Sequence, residues 1–246
     1  MAENFILTLM IKVLAFPFVT LSLIAEVFNF WNIRTDIGRC LNVIDSSTDI
    51  IPPLFIVGLI AAEDHRNALH PGVDPIAMVR AGLVRIRHKK IEGASTIEQQ
   101  FVRTVAGRYE RSLQRKISEQ SLAISVLRRR SKSRIANAYL SIAFYGPGCV
   151  GLVGLKRRCG DQLEITELSA ALGMIARLKY PEPIHPTKGW RDKIDQRVQY
   201  INRRKTACFP ASVMSFFDSN RFQVFSQSWQ KIMGIQDSLL NRHHFE

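Results

Sequence analysis

The residues from Phe5 to Ala25 are almost continuously apolar, and this run constrains the fold more than any other feature. It is long enough to cross a bilayer, since about 20 apolar residues span the hydrocarbon core. Lys12 lies near its middle and costs roughly 2.5 to 3.5 kcal/mol on the insertion scale, which the many Leu, Ile, Phe and Val residues can offset. Pro17 interrupts the run. We predict a transmembrane anchor over residues 1–26.

Two other interpretations of this run are a cleaved signal peptide and a membrane-surface helix. The amino end carries no Lys or Arg before Lys12, the apolar core is long, and no A-x-A site follows, all of which argue against a signal peptide. Polar residues do not segregate to one face, which argues against a surface helix. The segment after the run carries Arg34 and Arg39, so the positive-inside rule gives no support for an outward-facing domain.

The chain is strongly basic. Its 246 residues carry a net charge of +13, which implies acidic partners: nucleic acid, an anionic membrane surface or a phosphorylated substrate. Zinc-ligand spacing, aromatic-interleaved basic strands and a recognition-helix motif are not found in the sequence, so we expect no nucleic-acid partner. The basic runs 85–90 and 128–132 are typical of solvated faces, and the first could also contact anionic headgroups.

A helical domain is predicted beyond the anchor. Residues 27–50 are interpreted as a juxtamembrane linker that ends before Pro52-Pro53. From there onward the apolar residues recur with helical period, and no run of alternating strands appears, so we predict a mainly α fold. The domain is expected over residues 51–206, with a C-terminal extension over 207–246. The four cysteines are scattered without a C-x-x-C, which indicates neither a zinc site nor a disulfide framework.

Ser95-Thr96-Ile97-Glu98 has the form of a capping box, in which the Ser hydroxyl accepts from the third helical amide and the Glu reaches back to the cap. A helix is therefore predicted to begin here, with Gly107 placed to end it. Gln99, Gln100 and Arg103 would lie on or beside its polar edge. Free amides at a helix N-terminus attract anions, so a diphosphate would suit this position.

Glu63 and Asp64 follow the apolar run Leu54 to Ala62. A carboxylate pair at the end of a buried segment is a place where a carboxylate pKa can be raised for acid or base catalysis. The alternative interpretation is a helix cap or a solvated acidic pair.

Three motifs together resemble the peptidoglycan glycosyltransferases, glycosyltransferase family 51. The family's Glu-Asp-x-x-Phe-x-x-His-x-Gly-x-Asp is similar to Glu63 through Asp74, its Gly-x-Ser-Thr-Ile-Thr-Gln-Gln to Gly93 through Gln100, and its Arg-Lys-x-x-Glu to Arg115 through Glu119. They occur in the family's order and roughly its spacing. The likeness runs from about Ile51 to Pro186, where Leu168 to Pro186 is similar to the family's fifth motif.

The resemblance implies a lysozyme-like helical domain that polymerises lipid II by inverting transfer, with release of undecaprenyl diphosphate. Lipid II, the growing glycan strand and the membrane would be its partners, and other cell-wall synthesis proteins are further candidates. The expected location is the bacterial plasma membrane, as a single-pass protein with the catalytic domain on the outer face. By its length the chain is expected to be monofunctional.

The resemblance also implies roles for particular residues. Glu63 would be the base, and Glu119 the second catalytic glutamate, which helps hold a divalent cation, Mg²⁺ or Mn²⁺, or basic side chains against the diphosphate. From spacing alone, Arg115 and Glu119 are an ordinary i,i+4 ion pair. The expected substrate-binding residues are Asp64, His70, Gly93, Ser95, Thr96, Gln100, Arg103, Arg115, Lys116 and Lys179.

Four positions depart from the family pattern. Asn67 stands where the family has Phe, Glu98 replaces Thr, and Asn137 and Ser141 stand where the family usually has Glu and Asn. Asn67 and Asn137 leave open a non-catalytic membrane scaffold of the same fold. A glycan-strand hydrolase with paired carboxylates is a further alternative, which the basic groups and the Gly-x-Ser-Thr motif argue against, since hydrolysis has no pyrophosphate to stabilise.

Overall fold

The structure is a computed structural model that describes residues 2–90 and 92–208. The predicted C-terminal extension, 207–246, lies outside the described residues from residue 209 onward. Over the described residues the chain forms helices joined by short connections, and the prediction of a mainly α fold is confirmed. The helices are α1 (Ala2–Val27), α2 (Ile33–Ser46), α3 (Pro53–Glu63), α4 (Pro75–His88), α5 (Ile97–Ala106), α6 (Leu113–Leu127), α7 (Lys132–Ile142), α8 (Gly151–Cys159), α9 (Leu168–Lys179) and α10 (Lys188–Cys208).

The described residues divide into two compact units. The first comprises the residues up to Asp49 together with Glu63–Tyr139, and the second comprises Ile50–Ala62 and the described residues from Leu140 onward. The motif residues from Glu63 to Glu119 thus all belong to the first unit.

Helix α1 contains the predicted membrane anchor. Its segment Ile6–Val27 is long and apolar enough to cross a membrane, judged by length and composition, and has a mean hydropathy of 2.1. Ile11, Ala15, Ser22 and Ala25 share one face of the helix and are fully buried. This helix packs against α6. One face of α1 therefore belongs to the core of the first unit, while much of the rest exposes large apolar side chains.

Helix α2 occupies most of the segment that we predicted as a linker. It packs against α5 and α6, and Ile33, Ile37, Cys40 and Ile44 are buried on its inner face. Its buried Asp36 forms an ion pair with Arg108, at 2.7 Å. The segment is thus part of the packed unit, because it carries an amphipathic helix. This helix was not predicted from the sequence. The domain boundaries themselves stay a prediction.

The α5 and α6 helices form the centre of the first unit and pack against each other. Helix α5 begins at Ile97, and Gly107 ends it in the left-handed conformation (φ 65°), as predicted. The cap is Thr96 and not Ser95, since the Thr96 hydroxyl accepts from the amide of Gln99. Helix α6 is capped by Ser112 and is buried from Ser118 to Val126.

The second unit surrounds the apolar part of α3. The residues Leu54 to Ala62 are all buried, and Gly58 lets α9 approach closely, because a methyl group there would lie 2.9 Å from Leu172 Cδ2. Arg197 of α10 donates to the carbonyl of Ala62 at the end of this run, at 2.8 Å. A short antiparallel pair, β1 (Phe144–Gly146) and β2 (Cys149–Val150), precedes α8. The buried apolar segment expected before Glu63 is confirmed.

Candidate active site

Glu63 is the last residue of α3 and is partly exposed. Gln100 of α5 donates from Nε2 to Glu63 Oε2 at 3.4 Å. The other end of the same amide, Gln100 Oε1, accepts from the hydroxyl of Tyr139 at 2.9 Å. Burial and then the nearby Glu63 charge raise the pKa of Tyr139, which keeps the phenol protonated as a donor. Gln100 is thereby fixed in the orientation that presents its NH₂ group to Glu63.

Sequence reasoning missed the role of Tyr139. By its spacing in the sequence, Tyr139 belongs to an apolar helical stripe with Ile135 and Ile142. The signal that could have found it is a Tyr on a buried helical face, because a buried phenol needs a hydrogen-bond partner.

Asp64 is buried, and its carboxylate forms hydrogen bonds with three residues. Its carboxylate accepts from His70 Nε2 at 2.9 Å and from Asn67 Nδ2 at 3.1 Å. It also accepts from the backbone amide of Ile97, the first residue of α5, at 3.2 Å. Asp64 therefore connects the loop after Glu63 to the start of α5.

The pKa of Asp64 is lowered despite its burial. Burial alone would raise it, but the charge and hydrogen bond of His70, the charge of Lys132 and the hydrogen bond of Asn67 together outweigh that effect. The amide nitrogen of Gly72 lies 3.2 Å from His70 Nδ1, and His70 Nε2 lies 2.9 Å from Asp64 Oδ1, so contacts at both ring nitrogens hold the imidazole in place. Asp64 and His70 thus form a fixed ionic hydrogen bond inside the loop.

The far end of this loop is fixed as well. Asp74 caps α4 by accepting from the amide of Ala77 at 2.9 Å, and Arg66 donates to Asp74 at 2.9 Å. Thr96 donates to the carbonyl of Gly72 at 2.7 Å. The structure therefore gives His70, Asp74 and Thr96 contacts that shape the loop beside Glu63.

The first two motifs face each other across a small cavity of about 20 Å³, roughly the space of one water molecule. Glu63, Asp64 and His65 line one side of it, and Gly93 to Thr96 line the other. Gly93 is exposed and Thr96 is buried. The structure thus brings residues of the first two motifs together.

Glu119 lies at the centre of a cationic cluster. It is buried, and its two oxygens accept from different cations: Arg115 binds Oε2, and Lys116 Nζ lies 2.6 Å from Oε1. Lys116 also donates to Gln99 Oε1 at 2.5 Å and to Ser95 Oγ at 3.0 Å. The i,i+4 ion pair of Arg115 and Glu119 is present, but it belongs to a larger cluster that reaches the start of α5.

The positive charge of this cluster exceeds its negative charge. Burial lowers the pKa of Lys116 most, Glu119 raises it, and the charges of Arg103 and Arg115 lower it further. Arg103, Arg108, Arg115 and Glu119 line a second small cavity of about 10 Å³. Three cations around one carboxylate form a site that suits an anion.

The donor set at Glu119 does not fit a divalent cation. Both of its oxygens are held by cationic side chains, which would repel a metal ion. Among the described residues, the group whose potential ligand atoms converge is Asp64, His70 and Glu98, which does not include Glu119. That group holds an ammonium instead, because Lys132 Nζ lies 2.7 Å from Glu98 Oε1.

Two departures from the family pattern contact each other. Asn67 Nδ2 donates to Glu98 Oε1 at 3.3 Å, so Glu98 does not reach back to the helix cap as the capping-box prediction required. Asn137 donates to the carbonyl of Asp49 at 3.1 Å. Lys179, the remaining predicted site residue, is exposed at the end of α9 in the second unit, with its Nζ over the ring of Tyr180.

The fold and the site define a class: a helical domain with a candidate membrane span, in which one helix start joins a carboxylate to a cluster of cations. In the comparison with known families, the family model described as transglycosylase matches residues 37–205. The chain belongs to the transglycosylase family. The resemblance to the peptidoglycan glycosyltransferases is thereby confirmed.

Relatives in several bacteria carry the name penicillin-binding protein 1A. The chain is 35% identical over 160 residues to that of Rickettsia felis, which covers 63% of this chain and 20% of the relative. It is 36% identical over 161 residues to that of Escherichia coli (63% and 18%), and 40% identical over 107 residues to that of Aquifex aeolicus (43% and 15%). The matches span about a fifth of the length of these relatives or less.

Proposed function

We propose that this chain is a peptidoglycan glycosyltransferase that polymerises lipid II into glycan strands and releases undecaprenyl diphosphate. One observation carries the proposal: adjacent residues in the first turn of α5 hold the two halves of the site. Gln100 donates to Glu63, and Gln99 accepts from Lys116. A carboxylate and a cationic cluster are thereby attached to one helical turn.

Glycosyl transfer with inversion needs a base on the attacking side. Glu63 would take the proton of the 4-hydroxyl of one sugar. The oxygen of that hydroxyl would at the same time bond to the anomeric carbon of the donor sugar. The bond from that carbon to the diphosphate oxygen breaks at the same time, and the diphosphate leaves with the bonding electron pair. The partial exposure of Glu63 suits this role, because a base must reach its substrate.

On the leaving side, charge develops on the diphosphate, and cations placed in advance stabilise it. Arg115, Lys116 and Arg103 would provide them, and Glu119 would hold Arg115 and Lys116 in place. Ser95 would fix Lys116 from the other side through its hydrogen bond. Glu119 would thus have a positioning role.

We place the protein in the bacterial plasma membrane as a single-pass protein, anchored by α1, with the catalytic domain on the outer face beside its lipid-linked substrate and other cell-wall synthesis proteins. Exposed apolar side chains on α4 support contact with lipid: Val79 is 60% exposed and Ile86 is 80% exposed. A groove of about 480 Å³ lies between α4 and Leu14 of α1. Protease added to intact spheroplasts should digest the domain, and full protection would contradict this orientation.

Product analysis with purified full-length protein and lipid II tests the proposal. Glycan polymer and released undecaprenyl diphosphate are expected. Shortening of added glycan strands would favour a hydrolase, and the absence of both products from a folded protein would favour a scaffold.

A further inference from the structure

Glu98 is a buried acid with few partners. Its residue is 1% exposed, and its Oε1 accepts from Lys132 Nζ at 2.7 Å and from Asn67 Nδ2 at 3.3 Å. Among the described residues its Oε2 has no hydrogen-bond partner. A buried carboxylate needs compensation for lost hydration. Among the described residues, Lys132, the first residue of α7, is the one that forms an ion pair with this carboxylate.

Asn67 connects Glu98 to Asp64. Its NH₂ group has two hydrogens, and Nδ2 lies 3.1 Å from Asp64 Oδ2 and 3.3 Å from Glu98 Oε1. One amide therefore serves two buried carboxylates. Such a pair is stable only if cations balance the charge, since like charges at short range repel strongly in a buried site. Lys132 provides that balance on the Glu98 side, and its charge also contributes to the lowered pKa of Asp64.

We infer that Lys132 is a positioning residue, which fixes the loop after Glu63 through Glu98, Asn67 and Asp64. The inference rests on the proposed function for its consequence on catalysis, because Asp64 directly follows the proposed base. With Lys132 neutralised, Glu98 and Asp64 would compete for Asn67. The link from Asp64 to the Ile97 amide would then weaken, and Glu63 would lose its fixed place beside Gln100.

The hydrogen-bonded network of Lys132, Glu98, Asn67 and Asp64 also explains why two departures from the family pattern, Asn67 and Glu98, occur together. Asn67 and Glu98 contact each other and depend on Lys132, which lies 34 positions beyond Glu98. Their presence together is thus explained by shared hydrogen bonds and charge balance. Neither departure needs to remove activity.

Hydrogen exchange at the start of α5 reports on this network without requiring activity, because the Ile97 amide donates to Asp64. The variant Lys132→Met keeps the side-chain stem and removes the charge, and Lys193→Met, at an exposed lysine of α10, is the matched control. In the full-length protein, Lys132→Met should speed exchange in peptides covering residues 93–100 by roughly tenfold or more. Lys193→Met should leave it unchanged.

Rescue separates positioning from mere stabilisation. In the double variant Glu98→Gln with Lys132→Met, the buried charge that requires Lys132 is gone, so exchange should return close to the wild-type rate. With lipid II, Lys132→Met should lower kcat by about 10- to 100-fold with KM little changed. The double variant and Lys132→Arg should recover most of that loss.

Wild-type exchange in Lys132→Met, or no rescue in the double variant, would overturn the inference. If Lys132→Met does not fold, the double variant decides: a folded double variant with near wild-type exchange supports the network, and one that also fails to fold overturns it. If the wild-type protein makes no polymer, the proposed function fails, whereas the exchange measurements still test the role of Lys132.

Discussion

Asp64 and Glu119 are both buried carboxylates, at 6% and 5% exposure, yet their surroundings are opposite. Asp64 accepts from an imidazole, a side-chain amide and a backbone amide, all of which hold a loop in place. Glu119 accepts from two cationic side chains, and Arg103 adds further positive charge nearby. Equally buried carboxylates thus have two different surroundings: Asp64 orders the backbone around the proposed base, and Glu119 orders a cationic cluster, which in the proposed reaction would face the leaving group.

The largest effect is expected from Asp64→Asn, which would leave three donors facing an amide with a single acceptor. Breaking a buried ionic hydrogen bond of this kind costs on the order of 3 to 5 kcal/mol. Urea unfolding of the full-length protein should show this loss. Asp45→Asn is the control, because Asp45 forms exposed ion pairs with Arg130 and Arg134, which contribute little. Equal, small losses of unfolding free energy in Asp64→Asn and Asp45→Asn would contradict the ordering role of Asp64.

On the cationic side, Lys116→Met should affect turnover more than stability. Loss of one preorganised charge from the proposed leaving-group site should lower kcat by roughly 100-fold, while the fold keeps the α5–α6 packing. Rates with lipid II and thermal unfolding of the same preparations check this, with Lys193→Met as the matched control. An unchanged kcat in folded Lys116→Met would show that the cluster is a structural ion pair only.

The smallest effect is expected from His70→Gln, and it depends on pH. The lowered pKa of Asp64 means that its contribution to stability is present above the pKa of an unfolded Asp, about 3.9, and is lost as pH falls through the lower folded value. Removing His70 raises the folded pKa, so stability should be lost at higher pH. Unfolding free energies between about pH 3 and 7 should show this shift, and the exposed His88→Gln should not. A shift of equal size in both would remove the basis for the Asp64–His70 link.

Local sequence signals predicted much of this molecule. The apolar run before Glu63, the end of α5 at Gly107 and the candidate span in α1 each depend on residues close together in the chain. The contacts of Glu98 could not be predicted that way: its position fitted a capping box, but Lys132 and Asn67 compete for its carboxylate. Helix α2 was missed because its polar residues resemble a loop until α5 and α6 cover its inner face.

The most direct test of the account is the rate of Glu63→Gln with lipid II. Gln keeps the size of the side chain and its contact with Gln100 but cannot accept the proton. Polymer formation should fall by at least about 100-fold while lipid II binding and thermal stability stay near wild type. Polymerisation at the wild-type rate by folded Glu63→Gln would contradict the assignment of Glu63 as the base and the division of roles drawn from it.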